Sequence, residues 1–148
     1  MAEIIPIGTD HAGFHMKERL KQELVRLGYQ PLDLGTTSAE PVDYPDFAHP
    51  VAAMVEQGKA KRGILLCGSG QGMAYAANRH KGVRAALVWN SEIATLSRTH
   101  NDANILVLPS RYLSNDESLE ILHRFLDTPF EGGRHERRVE KIEEPVSS

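Results

Sequence analysis

Cysteine is almost absent: the 148-residue chain carries one, Cys67, so no disulfide can form within it. Packing alone must hold the fold, which suits a reducing compartment. Long apolar runs are missing as well. None exceeds five residues, Ala85–Trp89 being one of that length, whereas a membrane helix needs about 20. No excess of basic residues exists: 17 Lys+Arg against 20 Asp+Glu leave a net charge of −3. Such a chain has little with which to neutralise a phosphate backbone, so nucleic acid is not an expected partner. The opening Met-Ala-Glu-Ile-Ile-Pro has neither a basic nor an apolar leader region, and a cytoplasmic location is expected. Internal repeats and low-complexity tracts are lacking too.

What is present is ordinary for a soluble globular protein: 41% hydrophobic and 25% charged residues. The length fits one domain over residues 1–148, with a frayed tail at 143–148. Short apolar runs bounded by Gly, Pro, Asn or Asp predict strands at Ile4–Ile7, Gln30–Leu34, Gly63–Cys67, Val83–Trp89 and Asn104–Leu108. Between and after them, helical spacing predicts helices at Gly13–Leu27, Pro45–Gln57, Gly72–Asn78, Ser91–His100, Asn115–Leu126 and Gly133–Glu144. This alternation predicts an α/β fold, a Rossmann-like three-layer sandwich with a five-stranded parallel sheet.

Ligands of such folds bind beyond the carboxyl ends of the strands. Four clusters are expected on that rim: Gly8–Gly13, Cys67–Gly72, His100–Asp102 and Pro109–Arg111. Cys67 ends a buried strand and precedes three glycines at alternate positions that lead into a helix. Glycine lets backbone N–H groups turn toward a bound oxygen, and the helix N-terminus is expected to lower the thiol pKa. A thiolate beside an oxyanion cradle suits proton abstraction next to a carbonyl. The plainer alternative is a small core residue and a tight turn. The loop is neither the dinucleotide fingerprint nor a P-loop, because it follows strand three and lacks Gly-Lys-Ser/Thr.

Asp10 can accept from a sugar hydroxyl or cap a helix, and His11 can donate to an anion. His11 and His15 stand four apart but have no third metal ligand nearby in sequence. His100 reads as a general acid–base or as a cap at a helix C-terminus. On the last helix, Arg134, Arg137, Arg138 and Lys141 share an arc of roughly 100°, with Glu136, Glu140, Glu143 and Glu144 on another. Like charges one turn apart repel, so the basic stripe suggests a fixed anion or a partner.

Several motifs, in order, resemble the type B ribose-5-phosphate isomerases, in the sugar-phosphate isomerase family that also holds galactose-6-phosphate isomerase subunits. They are Gly8-Thr9-Asp10-His11-Ala12-Gly13, Asp43-Tyr44-Pro45-Asp46, Cys67–Gly72, His100–Asn104 and Phe130–Val139, and the likeness spans about residues 3–143. The resemblance implies an aldose–ketose isomerase of the pentose phosphate pathway with no metal or organic cofactor. It implies a homodimer or homotetramer whose sites are completed across an interface. It implies that Cys67 is the base, that Gly68, Ser69, Gly70, Gln71 and Gly72 hold the enediolate, and that His100 helps open the furanose. Asp10, His11 and Asn101 would then contact the sugar, and Arg111, Arg134 and Arg138 the phosphate. Some relatives use a glutamate just after the loop. Met73 stands there, which implies the cysteine variant. A six-carbon phosphosugar is the near alternative. The distant one is a nucleotide-binding module without catalysis, in which Asp33 would bind ribose.

Overall fold

A computed structural model describes residues 1–145. Strand β1 (Ile4–Thr9) leads through a 3-10 turn at His11–Gly13 into α1 (Phe14–Arg26), and β2 (Gln30–Asp33) into α2 (Pro45–Glu56). Next come β3 (Gly63–Cys67), α3 (Gln71–Ala77), β4 (Ala85–Leu87) and α4 (Ser91–Thr99). Strand β5 (Ile105–Pro109), a 3-10 turn at Ser110–Tyr112, α5 (Asn115–Asp127) and α6 (Arg134–Ile142) complete the order. The five strands pair in parallel as β2-β1-β3-β5-β4, the predicted α/β sheet.

Alternation along the central strands divides the core. Ile64 and Leu66 of β3 face α1 and α5 with Leu106 and Leu108 of β5, where they meet Leu20, Leu24, Leu122 and Phe125. Leu65 and Cys67, with Ile105 and Val107, face α2 and α3, where they meet Val51, Ala52, Met73 and Ala77. Both central strands are buried on both faces, which accounts for their unbroken apolar sequence. Proline opens α2, and Ser114 with Glu117 forms a capping box at the start of α5.

Helix α6 departs from this pattern. His135 is its one buried residue, and Ile142 is 56% exposed. Arg134, Arg137, Arg138 and Lys141 are exposed and make no ion pair among the described residues. The sequence pattern of separated charge stripes is therefore a helix with no core of its own to cover. Residues 146–148 of the expected frayed tail lie outside the described residues. Glu143, placed at the head of that tail, is instead held, because its Oε1 accepts the Gly82 N–H at 3.0 Å. No described helix is long and apolar enough to cross a membrane.

Candidate active site

Three of the four expected clusters do meet at the carboxyl rim. Parallel pairing brings the ends of β1, β3 and β5 level, with Cys67 opposite Pro109. The Ser110 hydroxyl donates to the Cys67 carbonyl at 3.2 Å, and the Arg111 N–H donates to the Gly68 carbonyl at 3.1 Å. A cleft of about 320 Å³ opens there, lined by Asp10, Cys67, Gly68, Ser69, Gly72 and Arg111.

Backbone conformation makes this cleft. Gly70 has φ +78°, and a Cβ there would sit 2.3 Å from Leu87 Cδ1. A Cβ on Gly72 would sit 2.3 Å from the Tyr44 ring, so the glycine lets that tyrosine close one wall. Tyr75 and Tyr112 also line the cleft, and the Tyr75 hydroxyl donates to Gln71 Oε1 at 2.8 Å. Sequence reasoning assigned none of these tyrosines a role. Tyr44 lay inside a quoted motif, and Tyr112 adjoins Arg111.

Cys67 is only 5% exposed. Burial pushes its thiol pKa up, and the Asp10 carboxylate adds to this, while the N–H groups of Met73, Gly70 and Gly72 oppose it. The net shift is upward, which reverses the sequence-based expectation of a lowered pKa. Desolvation outweighs the helix N-terminus because the sulfur sits at the end of a strand covered on both faces. The loop glycines do aim N–H groups at the thiol, so the cradle exists around the sulfur itself.

Asp10 is buried to 8% exposure, and its Oδ1 accepts the Ala12 N–H at 3.0 Å as the cap of the 3-10 turn. Its capping role is therefore observed, on the wall of the cleft. His11 Nδ1 accepts the Val42 N–H at 3.2 Å. That bond leaves the Nε2 side to donate. His15 is exposed and stands edge-on to Phe14, and the spaced pair His11/His15 forms no metal cluster among the described residues.

The fourth cluster is elsewhere, and the expectation of a single rim is corrected. Helix α4 runs antiparallel to the strands, so it carries the chain from the carboxyl end of β4 back to the amino edge. There the Asn104 N–H donates to the Arg84 carbonyl at 3.0 Å, and the Gly63 N–H donates to the Asn104 carbonyl at 2.9 Å. His100 and Asn101 thus lie beyond the starts of β3, β4 and β5. About five residues of strand, roughly 15 Å, separate them from Cys67. Chain order suggested one rim only because the direction of α4 was left out of account.

Arg134 and Arg138 go with His100. The Glu131 N–H donates to the Thr99 carbonyl at 3.2 Å, and the His135 ring stacks on His100 at 4.3 Å and 15°. A larger cleft of about 530 Å³ lies on this side, between Asn101, Arg84, Ile142 and Glu143. Its lining includes His80, Lys81 and Ser97 but no cysteine, whereas the smaller cleft holds the Cys67 thiol. The candidate residues fall into two groups: Asp10, His11, Cys67–Gly72 and Arg111 on one edge, and His100, Asn101, Arg134 and Arg138 on the other.

Asp33 is unavailable to a ribose. Its carboxylate accepts Lys17 Nζ at 2.6 Å on both oxygens, Lys21 Nζ at 2.8 Å and the Gly35 N–H at 2.8 Å. That removes the main support for a nucleotide-binding module.

Comparison with known proteins finds relatives over almost the whole chain. The family model described as Ribose/Galactose Isomerase matches residues 5–142. Ribose-5-phosphate isomerase B of Escherichia coli (strain K12) is 42% identical over 138 residues, covering 93% of each chain. A crystal structure of a ribose 5-phosphate isomerase from Thermotoga maritima superposes with a TM-score of 0.93 at 49% identity, covering 97% of this chain and 99% of the other. Ribose-5-phosphate isomerase B from Mycoplasma genitalium, solved with bound ribulose-5-phosphate, gives 0.93 at 42% identity over 97% and 95%. The match of sequence and fold across almost the whole length shows that this chain belongs to the ribose/galactose isomerase family.

Proposed function

We propose that the protein interconverts ribose 5-phosphate and ribulose 5-phosphate through an enediolate, in a site shared by two copies of the chain. The observation that carries this reading is Cys67 at the head of a glycine turn, in a cleft with Arg111 and with backbone N–H groups around its sulfur. The Mycoplasma genitalium relative with bound ribulose-5-phosphate supports the substrate class.

The chemistry runs as follows. His100 assists opening of the furanose to the free aldehyde. Cys67 thiolate takes the proton from C2, and the C–H electron pair forms the C1–C2 double bond of the enediolate. N–H groups of the Gly68–Gly72 loop stabilise its oxygens. The Cys67 thiol returns its proton to C1 and the O2 proton passes to O1, which leaves a hydroxyl at C1, a ketone at C2 and the thiolate regenerated. No covalent bond to sulfur forms. A raised thiol pKa suits this step: the thiolate is scarce at neutral pH but is a stronger base toward a weakly acidic carbon.

The reading also explains why Cys67 and His100 sit at opposite edges of one chain. A second copy brings its amino edge, with His100, Asn101, Arg134 and Arg138, against the carboxyl rim of the first. Arg134 and Arg138 then share the phosphate with Arg111. The exposed Ile142 and the basic stripe of α6 gain a surface to cover. Cys67 as a reduced thiol fits a cytoplasmic setting.

A coupled assay offering ribose 5-phosphate and six-carbon aldose 6-phosphates tests the proposal. Faster turnover of the five-carbon sugar, lost in Cys67→Ala, is expected. Preference for a six-carbon sugar would move the assignment to the galactose side of the family.

A further inference from the structure

His135 stands apart from the rest of α6. It is 6% exposed, and its Nε2 atom is buried without a hydrogen-bond partner among the described residues. A buried polar atom left unpaired in a native fold calls for a physical cause, such as an ion. Its surroundings are donor groups. The His100 ring lies 4.3 Å away, and Glu131 Oε2 is 3.8 Å from Nε2. One ligand atom from each of these three residues lies within 4.8 Å of the others.

We propose that His100, Glu131 and His135 form a binding site for a divalent transition-metal ion such as zinc. Two imidazoles and a carboxylate are a donor set that such ions prefer over magnesium or calcium. Metal–ligand distances of about 2.0–2.2 Å require the three donor atoms to draw in to roughly 3.3 Å from one another. His135 is the fixed member. His100 is half-buried at a helix end, and the Glu131 side chain is 58% exposed, so both are free to turn toward it. Three protein ligands leave one tetrahedral position open.

A different histidine cluster shows what a satisfied arrangement looks like. His49 Nδ1 and His80 Nε2 are 2.7 Å apart, and His80 Nδ1 is 2.9 Å from Glu56 Oε1. There each of these nitrogens has a partner, and no metal is called for. At His135 the partner is missing.

Occupancy has one functional consequence. A metal bound to the imidazole of His100 removes that ring from acid–base work, so zinc is expected to inhibit. This consequence alone rests on the ring-opening role proposed for His100; binding itself does not.

The test is calorimetric titration of Zn²⁺ into the EDTA-stripped, full-length protein, repeated with Co²⁺ to read coordination from its visible absorption. One ion per chain is expected. Outer-shell changes at metal sites already cost about 10–100-fold, so Glu131→Gln and His135→Asn, which each remove a ligand, should weaken binding at least tenfold. Cys67→Ala and His80→Asn should leave the affinity unchanged. Wild-type affinity in both Glu131→Gln and His135→Asn overturns the site, as does loss of binding in Cys67→Ala. His135 is buried, so Glu131→Gln keeps the test decisive if His135→Asn fails to fold. Inhibition of ribose 5-phosphate isomerisation should then follow the same Zn²⁺ concentration dependence. Binding without inhibition upholds the site and removes His100 from the chemistry.

Discussion

Lys17 is fully buried at the end of its helical turn, with its ammonium group placed against Asp33. It donates to both carboxylate oxygens at 2.6 Å and to the Thr36 carbonyl at 2.8 Å. This one group ties α1 to the end of β2 and to the loop beneath the carboxyl rim. Lys17→Met keeps most of the buried stem and removes the charge. Removing one partner of a buried pair costs about 3–5 kcal/mol. Here the loss is smaller, because Asp33 is 24% exposed and keeps Lys21 at 2.8 Å. We therefore expect about 2–3 kcal/mol, or a fall in Tm of roughly 4–12 °C at this chain length. Urea unfolding at pH 7 measures it, with Lys21→Met as control at about 1 kcal/mol or less, since Lys21 is 27% exposed. The pH dependence has a fixed sign. Burial raises the Asp33 carboxyl, but Lys17, Lys21 and the Gly35 N–H outweigh it and hold the pKa below its usual value. A depressed carboxyl contributes stability above its unfolded pKa of about 3.9, and that stability is lost as pH falls through the folded value. The gap between wild type and Lys17→Met should therefore narrow below about pH 4. Equal losses in Lys17→Met and Lys21→Met at pH 7 would refute the reasoning.

Three further outcomes are expected. Alkylation of Cys67 by iodoacetamide should rise with pH through an apparent pKa above the free-thiol value of about 8.5; a midpoint below this would contradict the burial argument. Arg134→Ala or Arg138→Ala should lower kcat/KM for ribose 5-phosphate roughly ten- to hundredfold, mostly through KM, as a charged hydrogen bond is worth about 1.5–3 kcal/mol. Equal losses on unphosphorylated ribose would instead assign these arginines to assembly. His100→Asn should slow the cyclic sugar more than an open-chain analogue, and equal slowing would assign His100 to another step.

The sheet was legible because β3 and β5 are buried on both faces and read as Gly-Ile-Leu-Leu-Cys and Ile-Leu-Val-Leu-Pro. Strand β4 was expected over Val83–Trp89 and covers only Ala85–Leu87, since an edge strand pairs along one side. The Cys67 turn was legible from its glycines, whose φ and close contacts leave no room for a side chain at Gly70. The sign of the thiol shift was not, because spacing reports the helix N-terminus but not how deeply the sulfur is buried. The separation of His100 from Cys67 was hidden for a similar reason: sequence gives the order of α4 but not the edge at which it ends. His135 went unremarked between Arg134 and Glu136, and only its burial without a partner among the described residues distinguishes it.

Mixing two inactive variants tests the shared site. Cys67→Ala retains an intact amino edge, and His100→Asn retains an intact carboxyl rim. Co-expressed in equal amounts, they assort so that half the dimers are mixed, and each mixed dimer holds one site with neither substitution. Recovery of about a quarter of wild-type activity is expected, well above either variant alone. Activity no greater than the mean of the two parents would contradict a site built from Cys67 of one copy and His100 of another.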